Sequence, residues 1–295
     1  MKHKRFLLCS LFVSAALATS SICSMTPYTA SATSATEIGA RNYIRYNCST
    51  KSVDLQYQLK TEYDSGIQAQ TIIGDNDMVE TKMSSVILLA DARSLGGNGT
   101  GFIVGEHEIV TNAHCLYTRS TGAYSDYKIR IQNDNQTVYL TPTYFHIPKS
   151  YINNDTDYPE YDYALITVEE DLTQYGRFQL GVITDSFVQS GKDVSVTGYS
   201  LLADPKDYEN IPGYSYGMQL TASGAITKST DSIYTWYLTD TAMGSSGGPV
   251  YIHEEYDDNS YDTAIAVNRA IGATENCGVR FNAAHLQFYM NNPYE

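Results

Sequence analysis

Residues 244–249 read Gly-Ser-Ser-Gly-Gly-Pro, which places Ser246 in a tight turn flanked by glycines. Such a turn can leave a hydroxyl exposed while backbone N–H groups converge on a substrate carbonyl. The chemistry on offer is attack on an acyl carbon. A serine hydroxyl is a weak nucleophile, so a base must take its proton and a third group must orient that base. Candidates for both lie upstream: Thr111-Asn112-Ala113-His114-Cys115 follows the apolar pair Ile109-Val110, and Tyr161-Asp162-Tyr163 opens another apolar run. In this reading His114 takes the Ser246 proton on Nε2 and returns it to the leaving amine, while Asp162 holds the other ring nitrogen. Asp155 and Asp157 compete for the acid's role, but they lie in the polar loop before the apolar run that Asp162 leads directly into. The backbone N–H groups of Gly244 and Ser246 are the expected oxyanion donors, each worth ~3 kcal/mol in a transition state. This chemistry calls for no metal and no cofactor.

The elements that must position these groups read as all-β. Short apolar or alternating runs recur at 86–89, 102–104, 109–111, 127–131, 138–141 and 163–168. After a break rich in Gly, Gln and Asp, six more follow at 194–199, 218–222, 233–239, 250–252, 264–267 and 279–281. Six and six suit two six-stranded antiparallel β-barrels, about 71–175 and 176–295, whose closure removes exposed sheet edges. Tyr127-Lys128-Ile129-Arg130-Ile131 alternates as a strand with one wet face should. A turn at Gly105-Glu106-His107 delivers His114 just past a strand end, where functional side chains concentrate. Asn282 can cap a short C-terminal helix carrying Leu286, Tyr289 and Met290 on one side before Pro293.

Composition narrows the setting. A net charge of −14 argues against nucleic-acid partners and against adhesion to an anionic membrane. The chain has 26 Tyr but only 19 Lys and Arg, with abundant Ser, Thr, Asn and Gly, as on the uncharged polar surface of an exported protein. Lys2, Lys4 and Arg5 precede an apolar run from Phe6 to Ala18, followed by small residues, the pattern of a signal peptide within residues 1–32. Cleavage after Ala18 or after Ala32 would suit, and no later run reaches the ~18 apolar residues of a membrane span. Residues 33–70 are polar, balanced in charge and without clear periodicity, so a removable pro-segment or a disordered linker fits them. Of the five cysteines, only Cys115 and Cys277 fall in the expected catalytic part, which leaves room for a single Cys115–Cys277 bond and no disulfide framework. No cysteine spacing suits a metal site. Asp257, Asp258 and Asn259 read as an acidic solvated loop, or less simply as a Ca²⁺ site. The expected product is a secreted monomer acting on proteins or peptides.

The chain order His, Asp, Ser is that of the chymotrypsin-type triad, and the segment around His114 resembles the Thr-Ala-x-His-Cys signature of that family. In animal members the cysteine after the His pairs with one in the preceding strand, and here that strand, from Gly97 to Gly101, has none. Thr71-Ile72-Ile73-Gly74-Asp75-Asn76-Asp77 looks like the mature start of staphylococcal and bacillary glutamyl endopeptidases. Asp240-Thr241 and Gly278-Val279-Arg280 look like the bacillary members, so the resemblance runs from Thr71 to about Phe288. It implies that Thr241 lines the primary specificity pocket and that a free amino group on Thr71 helps neutralise an acidic substrate side chain. Those enzymes carry a His in the pocket wall where this chain has Asn268, which can donate a hydrogen bond but cannot become cationic. Arg269 either supplies the missing charge or is a solvated strand-end residue. Asp240 stands where trypsins keep the pocket aspartate that selects Lys or Arg. Cutting at Gln70–Thr71 would follow neither Glu nor a basic residue, which suits a drifted preference for Glu with Gln tolerated. A different class of function is a catalytically silent homologue that binds peptides; such proteins usually lose a triad member, and this chain keeps all three.

Overall fold

A computed structural model describes residues 43–53, 77–91, 97–118, 122–124, 126–133, 136–153, 159–202, 204–227, 233–256, 259–269 and 274–290. The chain runs through β1 (Tyr43–Asn47), β2 (Ser52–Val53), β3 (Val79–Glu80), β4 (Val86–Asp91), β5 (Gly97–Ile103) and β6 (Glu108–Thr111). A small hairpin, β7 (Tyr117–Thr118) and β8 (Gly122–Ala123), precedes β9 (Tyr127–Gln132), β10 (Thr137–Leu140), β11 (Pro142–Pro148), helix α1 (Lys149–Asn153) and β12 (Ala164–Val168). Then come β13 (Gln179–Leu180), α2 (Asp185–Gln189), β14 (Asp193–Ser200), α3 (Pro205–Tyr208), β15 (Met218–Ala225) and β16 (Tyr234–Tyr237). The chain ends in β17 (Pro249–Tyr256), β18 (Asn259–Asn268), β19 (Asn276–Arg280) and helix α4 (Ala283–Met290).

The first sheet contains the order β10-β9-β4-β5-β6-β12-β11. One residue separates β10 from β11, so the two act as a single bent strand whose ends pair with β9 and β12 and close the sheet on itself. The second sheet runs β16-β19-β18-β17-β14-β15, and a bridge between Ile226 and Tyr237 joins its two ends. Counted this way, each barrel has the six antiparallel strands that the alternation predicts. Among the described residues six further strands lie outside those circuits: β7 and β8 form a two-stranded sheet of their own, and β13 pairs in parallel with β18. β1 and β2 extend the first sheet at β11, and β3 pairs with β15 of the second. The chain therefore starts its course from Asp77 against the second barrel before entering the first.

Burial explains why several strands read as unbroken apolar runs. In β4, Ile87 and Leu89 enter the core of the first barrel. Val86, Leu88 and Ala90 face the seam between the barrels, with Phe102, Val110, Leu165, Phe178, Tyr199 and Tyr251. A strand covered on both faces favours apolar residues at consecutive positions. β9, at the outside, buries Tyr127, Ile129 and Ile131 and leaves Lys128, Arg130 and Gln132 partly exposed. In α4 the Asn282 Oδ1 accepts from the N–H groups of Ala284 and His285 at 2.9 and 3.1 Å, the expected cap. Leu286 and Tyr289 pack as expected, but Met290 at the helix end runs past the packed surface and is 52% exposed. His285 and Phe288 are buried in its stead. Cys115, in the first barrel's core, and Cys277, in β19, are not joined by a disulfide, so the bond left open by the sequence is absent here. Among the described residues no helix is long and apolar enough to cross a membrane.

His146 on β11 lies opposite Arg45 on β1 and is almost fully buried. Burial, and then the charge of Arg45, hold its pKa down at about 3 against an ordinary 6.5. The unfolded chain binds this proton from pH 6.5 downward while the native ring refuses it until about pH 3, so stability drains as pH falls through that window. Urea unfolding of a His146→Phe variant should show a smaller loss of stability between about pH 7 and about pH 4 than the parent does. Equal losses would assign the acid lability to other groups.

Candidate active site

Thr111, the last residue of β6, is the register partner of Ala164, the first of β12. That pairing sets the turn after β6 beside the loop before β12. Asn112 is extended (φ −81°, ψ 150°) and leads into one turn of 3-10 helix, Ala113–Cys115, which carries His114. Asn112 Nδ2 donates to the Asp162 carbonyl at 2.7 Å and ties the two loops together. The Asp162 carboxylate then grips His114 twice. Oδ1 accepts from the His114 backbone N–H at 2.9 Å, and Oδ2 accepts from ring Nδ1 at 2.7 Å. With Nδ1 as the donor, Nε2 is the nitrogen that can take a proton. The competing acids Asp155 and Asp157 lie outside the described residues.

A second cation meets the same carboxylate. Arg269 Nε donates to Asp162 Oδ2 at 2.8 Å, from the residue that follows β18 in the second barrel. The Asp162 side chain is only 1% exposed, His114 10% and Arg269 9%. Burial by itself would raise the carboxyl's pKa, yet the charge and hydrogen bonds of His114 and the charge of Arg269 hold it at about 2. For His114, burial works against the proton, while the charge and hydrogen bond of Asp162 raise the ring's pKa above its ordinary value. Arg269 is thus packed against the acid, a placement different from both roles considered for it in the sequence.

Ser246 sits in a turn clamped by both barrels. From the first barrel, the Thr100 N–H donates to the Ser246 carbonyl at 2.7 Å and Thr100 Oγ1 donates to the Gly244 carbonyl at 2.7 Å. From the second, Gly247 N–H donates to the Asn268 carbonyl and Asn268 N–H to the Gly248 carbonyl, both at 2.8 Å. Gly247 has φ +86°, and a Cβ there would stand 2.1 Å from the Thr100 carbonyl oxygen. At Gly244, φ is +89° and a Cβ would stand 2.4 Å from the Tyr199 carbonyl oxygen. No other residue type fits either position without moving backbone. Ser246 Oγ donates to the Arg269 carbonyl at 3.2 Å, so Arg269 reaches Ser246 with its backbone and Asp162 with its side chain. The thiol of Cys115, next to His114, points at the Ser246 carbonyl at 3.6 Å.

Around the expected pocket, Thr241 is fully buried and its Oγ1 has no hydrogen-bond partner among the described residues. Its neighbour Asp240 accepts from the Asp77 N–H through Oδ2 at 3.1 Å. Asn268 is fully buried: Nδ2 donates to the Ser245 carbonyl at 2.9 Å, and Oδ1 accepts from the Tyr237 hydroxyl at 2.6 Å. Thr71 lies outside the described residues, as do Asp257 and Asp258. Sequence reasoning missed Thr100, Asn112 and Tyr237 as supports of this site. It also missed the carboxylate partner of Arg269, although a basic residue ending a buried apolar run needs an anion nearby.

Two closed antiparallel barrels with a His–Asp pair and a glycine-flanked serine between them define a chymotrypsin-like serine peptidase fold. Residues 99–255, which contain His114, Asp162 and Ser246, match the family pattern of the trypsin-like peptidase domain, and the chain belongs to that family. It is similar to a glutamyl endopeptidase of Bacillus licheniformis, 27% identical over 190 residues, 62% of this chain and 55% of that protein. The match thus spans about half of that relative's length. In three dimensions it is similar to a solved structure of Glu endopeptidase in complex with MPD, with a TM-score of 0.57, 22% identity, and coverage of 76% of this chain and 100% of that one. That likeness is one of fold.

Arg269 offers a direct test of the buried pair. Removing one partner of such a pair leaves a buried charge short of compensation and costs about 3 kcal/mol. Arg269→Met should lose stability on that scale in urea unfolding. It should also raise the His114 pKa, because the cation that competes for Asp162 is gone and only the carboxylate's attraction for the ring proton remains. NMR titration of the His114 ring reads this shift. A pKa that stays in place or falls would mean that Arg269 does not act on the pair.

Proposed function

We propose that this protein is an exported serine endopeptidase that cuts peptide bonds through an acyl-enzyme, using His114, Asp162 and Ser246. The observation that carries this reading is the His114–Asp162 pair, locked at 2.7 Å through Nδ1, beside a nucleophile turn that only glycines allow. Ser246 Oγ turns from the Arg269 carbonyl toward Nε2, gives up its proton and attacks the substrate carbonyl carbon. Asp162 stabilises the imidazolium that forms and keeps its tautomer. The N–H groups of Gly244 and Ser246 receive the developing oxyanion. Collapse expels the amine with the proton from His114, and a water activated by the same ring then hydrolyses the ester.

For specificity the reading is a preference for Glu before the scissile bond, weaker than in the related glutamyl enzymes, with Gln tolerated. Thr241 supports it, since a buried hydroxyl without a partner is suited to a substrate carboxylate or amide. Asn268 supports its weakness, because the amide oxygen and one N–H are already committed to Tyr237 and Ser245. Residues 1–32 act as the signal peptide and 33–70 as the pro-segment. Cleavage at Gln70–Thr71 creates the amino group that helps complete the pocket. The Asp77–Asp240 hydrogen bond supports this last point by bringing the amino-terminal arm to the residue before Thr241.

A serine-directed phosphonate should label the active protein stoichiometrically on Ser246, and Ser246→Ala should abolish both labelling and peptide hydrolysis while the fold persists. No labelling would leave only the peptide-binding homologue. For the pocket, an imidazole at 268 can keep the Tyr237 hydrogen bond through one nitrogen and present a protonatable second one. Asn268→His should therefore raise the Glu-to-Gln ratio of kcat/KM roughly tenfold, about 1.4 kcal/mol. A library profile dominated by Lys and Arg would end the glutamate reading.

A further inference from the structure

Residues 43–53 lie upstream of the expected processing site, yet they extend the first sheet and enter its core. β1 pairs with β11 along its whole length, from Tyr43 opposite Pro148 to Asn47 opposite Tyr144. Ile44, Tyr46 and Cys48 alternate inward, with exposures of 1%, 8% and 7%, and join the core that holds Phe145, Ile147 and Ile152. Tyr46 stacks on Phe145 with ring centroids 6.1 Å apart. After β1 the chain turns back on itself. Asn47 Oδ1 accepts from the N–H groups of Ser49 and Thr50, and β2 pairs with β1. Beyond the strand, Cys48 N–H donates to the Thr143 carbonyl at 3.0 Å and Lys51 reaches Asp126 at 2.8 Å.

A segment whose only task was to block the cleft would not need to enter the barrel core. Taking it away would strip β11 of a hydrogen-bonded neighbour, leaving an unpaired sheet edge above apolar side chains. β11 also pairs with β12, whose first residue stands two places after Asp162. The acid's loop therefore rests on the strand that β1 covers.

We propose that residues 43–53 are a permanent strand of the active enzyme. Processing adds water across the Gln70–Thr71 bond, leaving a carboxylate on Gln70 and an amine on Thr71. The piece that carries β1 and β2 stays on β11 as a second chain held by strand pairing and burial. This rests on the reading of residues 33–70 as a processed segment.

The test is intact-mass measurement of the matured, phosphonate-labelled enzyme under native and then denaturing conditions. The expected native species is the labelled large chain with a fragment spanning 43–53 attached, which denaturation separates. A labelled large chain without that fragment overturns the proposal and leaves the peptidase reading standing. A labelled chain unbroken at Gln70–Thr71 also overturns it. Absence of label with the fragment still bound would support the strand and sink the peptidase reading. As a second arm, Ile44→Asp in the full chain should let the fragment leave after processing and shorten the half-life of activity at elevated temperature about tenfold. A synthetic peptide of residues 42–54 added in trans should restore that half-life. Should Ile44→Asp fail to fold, Ile44→Ala carries the same comparison with a smaller expected loss. Unchanged half-life and retained fragment in the variant would count against the proposal.

Discussion

Asp162 imposes the constraint that organises this molecule. An ionised carboxylate buried to 1% exposure is tolerable only if its oxygens are occupied by donors and its charge is compensated. The two barrels share that task. The first supplies the ring and the backbone N–H of His114. The second supplies the guanidinium of Arg269. Because all three donors must reach one small group, the barrels have little freedom to slide past each other.

The turn at Gly244–Gly248 obeys a similar rule. Its carbonyls at Gly244 and Ser246 are taken by Thr100 of the first barrel. Its N–H and C=O groups at Gly247 and Gly248 are taken by Asn268 of the second. Two positions with positive φ and no room for a Cβ allow the backbone to meet both sets of partners. Asn268 and Arg269 are adjacent, so the end of one strand supports the turn, Asp162 and Ser246 together. The resemblance to pocket-wall residues hid this role. Asn268 serves the turn through its backbone and the Ser245 carbonyl through its side chain, whatever it contributes to a substrate.

Much of this was readable from residue order. The twelve apolar runs became the barrel strands because both-face burial in β4 and one-face burial in β9 leave different marks, an unbroken run and an alternation. His114 and Asp162 were readable because each borders such a run, and antiparallel register then makes them neighbours. What escaped was long-range. Nothing near Arg269 in the chain announces that its carboxylate lies in the other barrel, and Thr100 looks like any polar residue between glycines. β1 escaped for another reason. Its inward residues, Ile44, Tyr46 and Cys48, alternate with Arg45 and Asn47, but the strand is short and set in a polar stretch. Its partner β11 supplies the apolar surface that makes it a strand.

Arg269 also bears on how basic the His114 ring can be. A buried carboxylate 2.7 Å from Nδ1 draws a proton onto the imidazole, and a ring protonated at neutral pH cannot take one from serine. A guanidinium on the same oxygen opposes that pull while keeping the carboxylate ionised and fixed. It also makes the transient imidazolium less favourable than it would be beside an unshared carboxylate. The pull of the carboxylate still prevails, since the ring's pKa stands above its ordinary value, and the guanidinium acts against that rise. Both effects are strong in a site so thoroughly buried, where each charge acts on its neighbours with little screening by water.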